Sequence, residues 1–329
     1  MVSTSRREFL AGAAGVATAA LTGCANRPPA QLPTIDTHTH FYDPTRPQGV
    51  PWPPADDPLL HRPVLPAEFR RLAEPLGIGG TVVVEASPWV EDNQWVLDLA
   101  ADDPFLMGLV GHLKPGQPGF EELLERFARN PRFRGIRTGL WGVRFDPAQD
   151  PFVRDLDRLA TRDLALDVLI GPDQLSAVAQ LAERLPTLRM VIDHCANVRI
   201  DGGTPPTVWR DGLRLCAGQP NVFMKVSGLV EGTGRTDGSA PDNPEFYRPV
   251  LDAVWEAFGE DRVVFGSNWP VSARFAPLTT VHAIVADYFA THGARVADKY
   301  FRHNAVRIYR LAGIGAVAVQ PQNERVISD

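Results

Sequence analysis

Thr81-Val82-Val83-Val84-Glu85 and Met190-Val191-Ile192-Asp193-His194 decide the fold: each is a short, nearly unbroken apolar run ending on residues that carry chemistry. A strand with one wet face alternates apolar and polar residues, whereas a continuous run marks a strand covered on both faces, as in a parallel sheet. Outward from these two, the same pattern predicts eight strands: Thr34–His40, Thr81–Glu85, Phe105–His112, Phe133–Thr138, Leu164–Ile170, Leu188–His194, Val222–Ser227 and Arg262–Ser267. Amphipathic segments separate them. Phe120, Leu123, Leu124, Phe127 and Ala128 share one helical face, as do Leu175, Val178, Ala179, Ala182 and Leu185, and Tyr247, Val250, Leu251, Val254 and Phe258 repeat the spacing. Alternating units of this kind predict a (β/α)8 barrel of the α/β class; an open doubly wound sheet is the rival, but no glycine-rich dinucleotide turn follows any strand.

Composition limits what such a barrel does. The chain has 329 residues, 44% of them hydrophobic and 22% charged, with a formal net charge of −6. It is too apolar for a disordered protein, and the acidic balance argues against a nucleic-acid partner. Three cysteines cannot make a disulfide framework; Cys195 and Cys216 are expected as buried thiols, with pairing as the alternative.

Residues 1–23 differ from the rest. Arg6-Arg7-Glu8-Phe9-Leu10 precedes a short apolar stretch, which resembles a twin-arginine export signal, and Leu21-Thr22-Gly23-Cys24 resembles a lipobox that would lipidate Cys24. An ordinary cleaved signal with a chance cysteine is the other reading. The expected organisation is a signal over 1–23, a tether over 24–32, the barrel over 33–312 and a tail over 313–329. An exported, periplasmic-side lipoprotein follows, meeting the membrane only through its lipid.

The polar residues gather where strands end. In Asp36-Thr37-His38-Thr39-His40, alternate residues share a face, so His38 and His40 point into the barrel about 6.6 Å apart along the strand, close enough to share a divalent ion. Glu85 closes the second strand, His112 the third, Arg137 the fourth and His194 the sixth; Lys225 lies in the seventh and Asn268 follows the eighth. Asp193, one residue from His194, is expected to point away unless the strand has already ended. The proline-rich segment Pro44–Pro66, which holds Trp52 and His61, and the segment Val230–Pro244 follow strands and so belong to the rim, where they could wall a pocket.

Ile35-Asp36-Thr37-His38-Thr39-His40-Phe41, Gly135-Ile136-Arg137, Val191-Ile192-Asp193-His194, Lys225-Val226-Ser227-Gly228-Leu229, Phe265-Gly266-Ser267-Asn268-Trp269-Pro270-Val271 and Asn304–Leu311 occur in that order. Together they resemble the amidohydrolase superfamily, in the branch containing 2-pyrone-4,6-dicarboxylate lactonase and L-fuconolactonase. The resemblance implies hydrolysis of a lactone, with His38, His40 and His194 as metal ligands. It implies Arg137, Lys225, His112 and Trp269 around a small lactone or carboxylate substrate. Relatives of both kinds are implied, some holding a divalent metal such as zinc and some metal-independent. The usual eighth-strand aspartate that activates water is here Asn268, an amide that cannot take a proton near neutral pH. Glu85 or His194 is then the expected base, although Glu85 could equally pair with Arg137 or Lys225, and Arg137 could serve a buried salt bridge. A metal-dependent decarboxylase and a non-catalytic tethered binding protein are the alternatives.

Overall fold

The computed structural model describes residues 33–140 and 150–311. Cys24, the signal, the tether and the tail lie outside the described residues. Eight strands pair in chain order, every pair parallel: β1 (Thr34–Thr39), β2 (Ile78–Val84), β3 (Leu106–Gly111), β4 (Phe133–Thr138), β5 (Ala165–Val168), β6 (Arg189–Ile192), β7 (Val222–Val226) and β8 (Val263–Phe265). Beyond β8 the ring closes on β1 through the Thr39–Trp269 bridge, where the His40 N–H donates to the Trp269 carbonyl (2.9 Å) and the Asn268 N–H to the His38 carbonyl (2.8 Å). A helix lies between each strand and the next, consistent with a (β/α)8 barrel.

The apolar runs form the strands because both faces are covered. One face meets the helix layer, which contributes Phe120, Leu124 and Phe127 from the helix Phe120–Ala128 and Leu175, Val178 and Ala182 from the helix Leu175–Arg184. Inside, Val82, Val84, Val110, Val191 and Val264 form a second cluster with Ala305, Ile308 and Tyr309 of the helix Asn304–Tyr309. The closing sequence motif therefore plugs the barrel interior. Most strands are shorter than their runs, most visibly β6, which stops at Ile192, whereas β2 begins three residues before its run and β4 matches its own. Cys195 and Cys216 are free and buried, which pushes both thiols up to about 12.

Candidate active site

His38 leaves β1 fully buried, and its backbone N–H donates to Asp36 Oδ1 (3.0 Å). The same oxygen accepts from the Ser267 N–H (2.9 Å), so one carboxylate stitches β1 to the chain leaving β8. Burial pushes Asp36 up to about 6.

His194 is placed differently. β6 ends at Ile192, and the next residues turn left-handed: His194, Cys195, Ala196 and Asn197 all have φ between 49° and 56°. Each such non-glycine residue costs on the order of 1 kcal/mol and persists only if its surroundings hold it there. Trp209 Nε1–H donates to the Cys195 carbonyl and Asn197 Nδ2–H to the Ile170 carbonyl, both at 2.8 Å. Asp193 shares its strand face with Val191, inside the barrel, so it does not point away; it is fully buried, and the turn brings His194 round beside it and His38. Ser227 Oγ lies 2.8 Å from His194 Nδ1 and accepts the His194 backbone N–H (3.2 Å). Gly228, at φ +66°, backs this contact: a Cβ there would stand 2.6 Å from His194 Cβ. Gly228→Ala is therefore expected to cost about 1–3 kcal/mol and to cut turnover by at least about tenfold, checked by thermal melting beside kinetics.

The three imidazoles meet. The His38 ring centroid lies 4.4 Å from that of His194 and 5.0 Å from that of His40. Their free nitrogens differ. His40 has Nδ1 on the Val84 carbonyl (3.0 Å) and Nε2 on Asn268 Oδ1 (3.2 Å), so both ring nitrogens are occupied. Candidate ligand atoms of His38, Asp193 and His194 instead lie within 4.8 Å of one another, and His38 Nε2 and Asp193 Oδ2 have no hydrogen-bond partner. Among the described residues, those that could together hold an ion are thus His38, Asp193 and His194, with His40 beside them. Two imidazoles and a carboxylate with unused donor atoms suit zinc. Burial keeps His194 neutral, lowering it to about 4, and lowers His40 to about 3 with help from Arg137.

Lys225 lies beneath the cleft and does not line it. It is fully buried, with Nζ 2.5 Å from Asp167 Oδ2, 3.0 Å from Asp193 Oδ1 and 3.2 Å from His38 Nδ1. Tyr309 O–H donates to Asp167 Oδ1 (2.9 Å) from the far side. Burial works against the ammonium, but the two carboxylates outweigh it and hold its pKa up. Lys225 in turn holds Asp193 ionised, while burial pushes Asp167 up to about 6.

A cleft of about 270 Å³ opens over this layer, lined by His40, Trp52, Ala86, Arg137, Leu169, His194, Asn268 and Val271. Arg137 is fastened to Glu85, with Nε 2.9 Å and Nη2 2.8 Å from Oε1, while Nη2 also donates to the Glu85 carbonyl (2.9 Å). Glu85 is therefore the partner of Arg137; burial raises its pKa and Arg137 opposes the rise. Besides Lys225, two expected substrate groups are absent from the lining. Trp269 is 2% exposed and packs on Phe69 (5.1 Å between centroids), on the helix-layer face that Phe265 also presents. His112 sits with its backbone held at both ends by Asn93, and burial lowers it to about 4. His61 stays on the rim, with Nδ1 on the Pro53 carbonyl.

Sequence reasoning missed Asp167, Tyr309, Ser227 and Glu231. Asp167 had a usable signal, a carboxylate inside the apolar run Leu164–Ile170, which must find a partner when buried. Glu231 had none. It lies on the helix Leu229–Gly232, and Asn268 Nδ2 reaches its Oε1 at 2.8 Å.

Comparison with known proteins identifies the family. The family described as Amidohydrolase matches residues 35–311. An L-fucono-1,5-lactonase of Burkholderia ambifaria is 33% identical over 287 residues, covering 84% of this chain and 95% of that protein. Its counterpart from Burkholderia multivorans is 30% identical, covering 76% of this chain and 86% of that protein. A crystal structure of an amidohydrolase from Burkholderia multivorans, with bound zinc, superposes with a TM-score of 0.74 at 28% identity, covering 84% of this chain and 99% of that one. With these matches spanning the whole barrel and its strand-end cluster, the chain belongs to the amidohydrolase family, in the branch that holds those lactonases.

Proposed function

We propose that the protein hydrolyses a lactone, opening the ring ester by attack of water on its carbonyl carbon. The observation that carries this reading is the convergence of His194, Arg137 and Asn268 on one cleft above His38 and Asp193. The lactonase relatives support the substrate class.

Each group has a chemical task. Arg137 is braced by Glu85, so its planar guanidinium is ready for the carbonyl oxygen as that oxygen becomes an oxyanion. His194, neutral and held through Nδ1 by Ser227, has Nε2 left to accept a proton from the attacking water. The ring oxygen leaves as an alcohol and the carbonyl becomes a carboxylate, so the product carries one more negative charge than the substrate. His38, Asp193 and His194 would together hold a divalent ion such as zinc, which when bound supplies Lewis acidity to the carbonyl oxygen.

A panel of sugar-acid lactones followed by acid release tests the reading, with carbon dioxide measured in parallel. Ring opening is expected, with a loss of about 10³-fold or more in His194→Asn. No opening above the uncatalysed rate, or carbon dioxide in its place, would overturn it. Activity that survives chelation and metal-free elemental analysis assigns the water's proton to His194, whereas activity lost on chelation and restored by zinc assigns His194 to the ion.

A further inference from the structure

Behind Asn268, away from the substrate cleft, stands Glu231. As placed, Asn268 Nδ2 lies 2.8 Å from Glu231 Oε1 and Asn268 Oδ1 lies 3.2 Å from His40 Nε2, while His40 Nδ1 lies 3.0 Å from the Val84 carbonyl. Counting protons along this chain constrains it. A carbonyl only accepts, so His40 donates from Nδ1. A neutral imidazole has one N–H, so its Nε2 must then accept. The donor it needs is the NH₂ end of Asn268, brought round by a half-turn of the amide, whose two ends are interchangeable in shape. That half-turn sets Asn268 Oδ1 against Glu231, and only a protonated carboxyl can donate to it. With His40 neutral, all three contacts are satisfied when the proton sits on Glu231.

The surroundings of Glu231 agree. Its Oε2 is buried with no hydrogen-bond partner, which a neutral carboxyl tolerates far better than an anion. Arg199 lines the same small groove, the Tyr247 phenol lies nearby, and His40 and His194 lie beyond Asn268. Burial raises Glu231 to about 7, opposed by its own backbone N–H and the Asn268 amide.

We infer that Glu231 is a positioning residue whose proton decides which end of the Asn268 amide faces the cleft. With Glu231 protonated, Asn268 gives one N–H to His40 and has a second for a carbonyl oxygen in the cleft. With Glu231 ionised, the amide turns back and offers its carbonyl instead. The kinetic consequence rests on the lactone-hydrolysis reading, because a donor aimed at a developing oxyanion accelerates that reaction and an acceptor there does not.

The sign follows directly: the donor arrangement holds below about pH 7 and is lost as pH rises through that value. Infrared difference spectra of the whole protein against Glu231→Gln are expected to show a protonated-carboxyl C=O band at about pH 6 that is gone at about pH 8, either side of the Glu231 value. Asn268→Ala should keep that titrating band. In lactone hydrolysis, wild-type kcat/KM is expected to fall by about tenfold over the same interval, as the protonated fraction of Glu231 does. Glu231→Gln can donate to Asn268 at every pH, so its ratio between the two pH values should stay near one, and Asn268→Ala should also lose the fall. Absence of the carboxyl band at about pH 6, or an undiminished pH dependence in Glu231→Gln, would overturn the inference. The infrared arm needs no substrate, so a protein that opens no lactone yet shows the band defeats the functional reading alone.

Discussion

Lys225→Met is expected to lower stability by about 3–5 kcal/mol, measured by chemical denaturation near neutral pH. Lys225 is fully buried and is the cation between Asp167 and Asp193, both also fully buried. A methionine fills most of the volume but leaves two carboxylates facing each other without a counter-charge. They will answer by taking up protons, so their folded-state pKa values rise above those of the unfolded chain. Stability from that protonation is fully present below the unfolded pKa and is lost as pH rises. The penalty should therefore be smaller at about pH 5 than at about pH 8, and Asp167→Asn added to Lys225→Met should recover part of it. An equal loss at both pH values, with no recovery in the double variant, would show that packing rather than charge made Lys225 necessary.

Arg137→Lys carries the second large effect, a fall in kcat/KM of about 10²–10³-fold, or about 2.7–4 kcal/mol of transition-state stabilisation. The charge survives this substitution but the planar fork does not, and the fork is what lets Arg137 hold Glu85 and still face the cleft. Glu85→Gln keeps one acceptor for Arg137 and should cost distinctly less, about tenfold. The ranking is the test. If Glu85→Gln proved the more damaging and erased the low-pH limb of the rate profile, the water's proton would belong to Glu85 and Arg137 would be its support.

The site combines rigidity with stored strain. Four consecutive left-handed residues present His194, and a fifth, Asn268, presents its amide across the same cleft. Neither conformation is what an unconstrained chain would choose, and both are held by side chains from other strands and helices. Strand period accounts for two outcomes. Asp193 shares its face with Val191, inside the barrel, and Trp269 shares its face with Phe265, against the helix layer. The left-handed turn is what brings His194 round beside Asp193.

Much was nonetheless legible. Eight runs such as Val82-Val83-Val84 could be recognised because covered parallel strands need apolar residues on both faces, a property of consecutive residues. That His38, Glu85, Arg137, His194 and Asn268 belong to one end of the barrel followed from their positions at strand exits. Their partners were another matter. Nothing local to Glu85 chooses Arg137 over Lys225, and nothing near Glu231 points to Asn268, which is 37 residues away along the chain. The sequence by itself determined the order of strands and which end of the barrel carries the chemistry, because hydrophobic period and strand-end position are written in neighbouring residues. Only the tertiary structure decided that Asp193 joins His38 and His194, that Lys225 is locked between carboxylates, and that a second acid stands behind Asn268. A buried polar atom is satisfied by whatever the fold brings within about 3 Å of it, and that depends on residues far apart in the chain.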